Sequence, residues 1–203
     1  MPRTRTTTSD HADERRAITR LDPAVRREQI VVAAAAVFER REPSEVTFEE
    51  IADAAGVSRA LVYNYFGDRG GLLAAVYLHH FETVNQRLRD AAAVSDEPEE
   101  RTRALVRAYI DFAREHPQAW RLLSSRVVDH PKVRQARKER MTGLASGWGG
   151  SPEARIVANG IVGLLEAATV DWIEEGDVPA GDLADLLFAL LWKGFGSLEL
   201  VDS

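Results

Sequence analysis

Thr47 is followed three residues later by Glu50. At that spacing a hydroxyl and a carboxylate satisfy each other's orphan backbone N–H groups at the start of a helix. Further on, Gly56 can supply the positive φ of a tight turn, and Ser58 can cap a second helix. Ile51, Val57 and Val62 form a small apolar triangle between the two helices, and Ala52 is small enough to let them cross closely. After Ser58 the chain reads Arg59-Ala-Leu-Val-Tyr63-Asn-Tyr65-Phe, with Arg69 beyond the next turn. Arg is the side chain that grips a guanine edge with two hydrogen bonds. Two short helices pinned by such a turn, with that residue at the front of the second, make a helix-turn-helix that offers its second helix to the DNA major groove.

Other chemistries lack their residues. His79 and His80 are adjacent, so on a helix they point about 100° apart and cannot chelate one metal from one face. There is no cysteine, hence no thiol nucleophile, disulfide or Cys-based zinc site. Neither a Gly-rich phosphate loop nor a Gly-x-Ser-x-Gly elbow occurs. No enzymatic activity, metal or cofactor is expected. The basic run of Lys132, Arg134, Arg137, Lys138 and Arg140 reads as a solvated helix face, with binding of a partner or an anionic ligand as the alternative.

The elements that must hold the helix-turn-helix are helices too. Asp22-Pro23 starts the first, with Ile30, Ala33, Ala34, Val37 and Phe38 on its apolar face and Pro43 as its breaker. Gly67-Asp68 ends the second helix of the motif and caps a long amphipathic helix reaching about residue 92. Two further helices meet at His116-Pro117, with His116 as a cap. A polar helix covers about 131–145, and 143–152 reads as a loop. No strand pattern is present. In the last quarter, 153–175 carries Ile161, Leu164 and Trp172, with Gly160 and Gly163 permitting close approach of another helix. Residues 180–200 contain a run at 186–192 that is apolar all round and needs burial on more than one side. An isologous homodimer meeting through the last two helices answers that need. Ile161, Leu164, Leu187, Leu190, Leu191 and Phe195 are its expected contacts.

The totals agree. The 203 residues are 45% apolar, as in a globular protein, and no apolar run reads as a membrane span. The polar start is no secretory signal, so a cytoplasmic address and no membrane partner are expected. Net charge is −6, unusual for a DNA binder, but residues 1–41 hold an excess of Arg and the acids lie farther on. A local positive surface suffices, and a dimer doubles it. Three parts follow: an Arg-containing arm at 1–21, a DNA-binding domain at 22–67, and an effector-binding and dimerisation domain at 68–203.

Residues 47–73, with Ile-Ala-x-x-x-Gly-Val-Ser, then Val-Tyr-x-Tyr-Phe, then a capped helix opening with Leu-Leu, closely resemble the DNA-binding segment of TetR-family transcriptional regulators. The resemblance extends back to about Ala24. It implies an all-α homodimer of about nine helices, with a three-helix DNA-binding head and a helical ligand-binding and dimerisation domain. Its partners would be a double-stranded operator and a small-molecule effector, which usually releases DNA. By position it puts Thr47, Tyr65 and Arg69 at phosphates and Arg59, Ala60, Leu61 and Tyr63 at base edges, with Ser58 and Asn64 completing the set. Tyr109, Phe112, Trp120 and Trp172 suit a core; where such groups line a pocket, its occupant would be lipophilic or aromatic. Glu166, within an apolar face, could meet a cationic ligand, water or an Arg of the partner chain. The reading is a regulator, a repressor before an activator; the alternative is a ligand-binding or interaction module with a degenerate DNA head. That alternative is supported by the missing Gly in the turn after the first helix, by Glu49 where a basic or polar residue is common, and by the acidic total; Gly70-Gly71, where helix formers are expected, imply fraying at the start of the next helix.

Overall fold

The computed structural model describes residues 22–125 and 128–195. The expected arm at 1–21, with Val127 and Leu198, falls outside them, as does the side chain of Phe195. Nine α-helices and no strand occur among the described residues: α1 (Pro23–Phe38), α2 (Phe48–Ala55), α3 (Arg59–Phe66), α4 (Arg69–Ala92), α5 (Pro98–Glu115), α6 (Pro117–Ser124), α7 (Pro131–Ser146), α8 (Pro152–Glu175) and α9 (Ala180–Leu190). A π-helical turn, Leu191–Phe195, follows α9.

The boundaries have local causes. Proline opens α1, α5, α6, α7 and α8, where its missing N–H costs nothing. Asp22 accepts from Ala24 N at 2.7 Å, Asp68 from Gly71 N at 2.8 Å and Ser151 from Ala154 N at 3.2 Å. Helix α7 runs to Ser146, past the 143 expected to begin a loop, because Ala145 packs with Ala154 and Ala158 of α8.

Two apolar cores share α4. The head core joins Ile30, Val31, Phe38, Ile51, Val62 and Leu72. On α1 the buried stripe includes Val31 and Ala35, while Ala33 and Val37 are half-buried; α1 is packed against both α2 and α4, so its apolar face is shifted and widened. The body core joins α4 to α5, α6 and α9 through Tyr77, Phe112, Trp120, Leu187 and Phe188. Leu73 and Leu122 touch both cores.

Helix α8 corrects one expectation. It is long and apolar enough, by length and composition, to cross a membrane. Within the chain it buries only a narrow stripe of Ala154, Ala158, Val162, Leu165 and Thr169.

Candidate nucleic-acid interface

The head is built on one polar network. Thr47 Oγ1 accepts from Glu50 N at 3.2 Å, while Glu50 Oε2 accepts from Thr47 N at 2.7 Å and from Thr47 Oγ1 at 2.9 Å. The box predicted from the sequence is formed. Glu50 also pairs with Arg41, whose Nη2 donates to Glu45 O at 3.1 Å. These bonds from Thr47, then Arg41, hold the Glu50 carboxyl below its usual range. The Gly-free turn after α1 is thereby explained: a short 3₁₀ segment, Pro43–Glu45, is tied down by Arg41, and Val46 is buried behind it.

Gly56 takes φ 64° and ends α2; Ser58 Oγ accepts from Leu61 N at 3.3 Å and starts α3. Val62 and Phe66 bury one side of α3. The opposite side leaves Arg59, Ala60, Tyr63 and Asn64 exposed together, since positions i, i+1, i+4 and i+5 share one arc of a helix. Leu61 and Tyr65 are half-buried on the flank, with the Tyr65 ring 6.2 Å from that of Phe66. Arg59 folds back on Tyr63: its Nη2 donates to Tyr63 Oη at 3.3 Å and its guanidinium lies 5.4 Å from the ring centre. Phe48 of α2 backs that ring at 4.5 Å. The Tyr63 bond, with a smaller contribution from Glu49, raises the Arg59 pKa further. Arg69 is exposed at the first turn of α4.

Gly71 has a reason absent from the sequence pattern. A Cβ there would stand 2.1 Å from Phe66 O, so only glycine lets α4 start this close to the end of α3. Helix α4 is intact from Arg69, and the fraying expected of Gly70-Gly71 is not seen.

A profile of the bacterial regulatory proteins of the TetR family matches residues 30–76, the segment just described. The HTH-type transcriptional activator FasR of Mycolicibacterium smegmatis is 30% identical over 195 residues, covering 91% of this chain and 89% of its own length. The chain belongs to the TetR family. It is therefore a DNA-binding transcriptional regulator. Among solved structures, a TetR-like regulator from Rhodococcus sp. RHA1 shares 27% identity, with a TM-score of 0.65 over 88% of this chain and all (100%) of that one. A transcriptional regulator FadR from Bacillus subtilis, crystallised with stearoyl-CoA, has the same fold at 16% identity, with a TM-score of 0.66 over 82% of this chain and 98% of that one.

In this TetR-family chain most residues expected around an effector are core. Tyr109, Phe112 and Trp120 are at most 3% exposed, with Tyr109 and Trp120 edge to face at 4.5 Å. Trp172 donates through Nε1 to Val178 O at 2.6 Å and so clamps the α8–α9 connection. Glu166 alone of the five lines a cavity, one of about 280 Å³ whose wall also includes Tyr77, Arg137, Lys138, Arg140 and Gly163. The sequence reads these basic residues as a solvated face first, with an anionic ligand as the alternative. His116 makes no side-chain cap bond; its Nδ1 lies 3.4 Å from Glu39 Oε1, tying the α5–α6 junction to the end of α1.

The expected dimer residues also divide. Leu187 and Leu191 are buried in the chain's own core at 1% and 8% exposure, so Leu187 has nothing left to offer a partner. Ile161 and Leu164 are half-buried. Leu190 is 48% exposed; Leu186, at 56%, and Ile156, at 67%, are exposed too, neither of them among the expected contacts. A Cβ on Gly160 or Gly163 would meet nothing within 4 Å.

Proposed function

We propose that this regulator is a homodimeric repressor that grips a palindromic operator and is released by a small lipophilic effector. The observation that carries the DNA-reading part is the exposed arc of Arg59, Ala60, Tyr63 and Asn64 on a helix whose other side is buried. Arg59 reads a guanine once DNA draws it off Tyr63; Thr47 and Arg69 lie on phosphates, with Tyr65 steadying the helix from its flank. The units are a head at 22–67 and an effector and dimerisation domain at 68–203. Dimerisation would join the faces of α8 and α9 that carry Ile156, Leu186 and Leu190. It would set two recognition helices about 34–36 Å apart. An effector in the body would change that separation through α4 and Leu122, shifting a population between two dimer states. The aromatic core of the body and the stearoyl-CoA bound by the Bacillus subtilis regulator of the same fold favour a lipophilic effector.

Of the features that favour the degenerate-head alternative, the Gly-free turn has a local explanation in Arg41, which ties it down. A second reading is activation, favoured by the name of the relative FasR. Deleting the gene and measuring transcripts of its neighbours separates the two, since repression predicts a rise and activation a fall.

The direct test is fluorescence anisotropy with DNA from around the protein's own gene, against a scrambled duplex. Binding should prefer the genomic site, and Arg59→Ala should lose about 1–3 kcal/mol of that preference. Full preference retained in Arg59→Ala would remove Arg59 as the reader.

A further inference from the structure

The basic run of α7 is not one face. Lys132, Arg134 and Lys138 are exposed. Arg137 and Arg140 stand four and seven residues after Val133, which is fully buried, and so share its inward stripe. Both are half-buried. Arg137 lies 4.8 Å from the centre of the Tyr77 ring, donating through Nε to Tyr77 Oη at 2.9 Å and through Nη2 to Ser125 O at 2.7 Å. Arg140 lies 5.9 Å from the centre of the Phe81 ring. These partners are neutral. Among the described residues neither guanidinium, nor Lys138, has a carboxylate within ion-pair distance, although seven Arg side chains elsewhere do. Arg on an inward stripe without a counter-charge is costly unless something anionic arrives.

The cavity of about 280 Å³ opens where these cations converge, between α4, α6, α7 and α8, with Glu166 as the carboxylate on its wall. Beside Arg140 and Glu166 is the Tyr109 hydroxyl. Tyr109 Oη, Trp120 Nε1 and Thr169 Oγ1 are buried polar atoms left without a well-formed hydrogen bond, on residues at most 3% exposed. Native interiors seldom leave such atoms unmet. The cavity thus sets three cations beside an apolar wall of Leu123, Met141 and Val162.

We propose that this cavity binds the anionic head of an amphipathic effector, a carboxylate or phosphate held by Arg137, Arg140 and Lys138, with the apolar body laid against Leu123, Met141 and Val162 of its wall. The assignment rests on the reading of the chain as effector-responsive and names the chemical class of that effector. It replaces the expectation of a cation at Glu166, since the wall carries three cations against one carboxylate.

Isothermal titration of the full-length protein with palmitate, palmitoyl-CoA, coenzyme A and the uncharged palmityl alcohol tests it. Palmitate or palmitoyl-CoA should bind at least about tenfold more tightly than the alcohol. Preference for palmitate identifies a free carboxylate as the head, and preference for palmitoyl-CoA, with weak binding of coenzyme A, a phosphate-bearing one. Arg140→Gln and Lys138→Gln, which break no well-formed side-chain hydrogen bond among the described residues, should each weaken the preferred anion about tenfold with an unchanged thermal melt. Arg137→Lys, which keeps the charge but loses the Ser125 anchor, should weaken it less than Arg137→Gln. Equal binding of alcohol and anion, no binding of any of the four, or wild-type affinity in both Arg140→Gln and Lys138→Gln would overturn the assignment. Operator anisotropy with the same compounds keeps the two readings apart. An anion that binds and leaves operator affinity unchanged upholds the site and defeats release by it. Release by the alcohol alone upholds effector control and defeats the anionic head.

Discussion

Arg59 and Arg69 are both exposed cations at the front of a helix, yet they are held differently. Arg59 is parked on Tyr63, and Arg69 reaches out from the start of α4 with no ion pair among the described residues. A group placed for phosphate carries no sequence information. Arg69→Ala should therefore weaken all duplexes alike and lower the slope of log affinity against log salt by about one phosphate contact. Anisotropy over a salt series reads it, and an unchanged slope would remove Arg69 from the backbone contacts. Gly71 gives the opposite kind of residue effect, felt in the fold. Its Cβ would meet a backbone oxygen at 2.1 Å, whereas that of Gly70 would meet the Asp68 side chain at 3.3 Å. Gly71→Ala should cost about 2 kcal/mol or more of stability and Gly70→Ala clearly less. Equal thermal melts for the two variants would mean that the α3–α4 corner yields freely.

Helix α4 is the element through which head and body communicate, because Leu72, Ala75 and Val76 pack in one core while Tyr77, Phe81 and Val84 pack in the other. It carries His80, 7% exposed, near His79 and His116. Burial above all, then those two imidazoles, lowers the His80 pKa from 6.5 to about 4. Between these values the unfolded chain takes up a proton that the folded chain refuses. Stability should thus be unaffected by this group above pH 6.5 and fall as pH drops toward 4, by about 3 kcal/mol at most. Urea midpoints at pH 7.5, 6 and 5 check it, with His80→Gln expected to flatten the dependence. An identical slope in that variant would assign the effect to other groups.

At the scale of the whole molecule, the chain buries its own aromatic core and still leaves apolar surface on α8 and α9, at Ile156, Leu186 and Leu190. Leu186→Glu combined with Leu190→Glu touches little of the internal packing and should convert a dimer into monomers with weakened operator binding. Sedimentation velocity measures this, and a dimer that survives both charges would move the interface elsewhere. The apolar run at 186–192 asks for burial on more than one side, and within the chain only Leu187, Phe188 and Leu191 of its leucines and phenylalanine are buried, while Leu186 and Leu190 stay exposed. Which leucines face inward was not readable from it, because a run that is apolar all round has no polar side to fix its phase.

The sequence by itself determined the helical class, the helix starts at Asp22-Pro23 and at Asp68, and the helix-turn-helix with its Thr47–Glu50 box. All of these are local, set by side chains within a few positions of the backbone they satisfy. What needed the tertiary structure was every assignment that depends on a distant neighbour. Arg41 reaching Glu50 across a turn, Gly71 meeting the carbonyl of Phe66, and Tyr109 and Trp120 sealed in the core belong to that set. So does the basic run of α7, which looks like one solvated surface in a string of letters. It divides only when the helix is set against α4 and α8, because the packing of Val133 and Ala136 decides which of its cations turn inward.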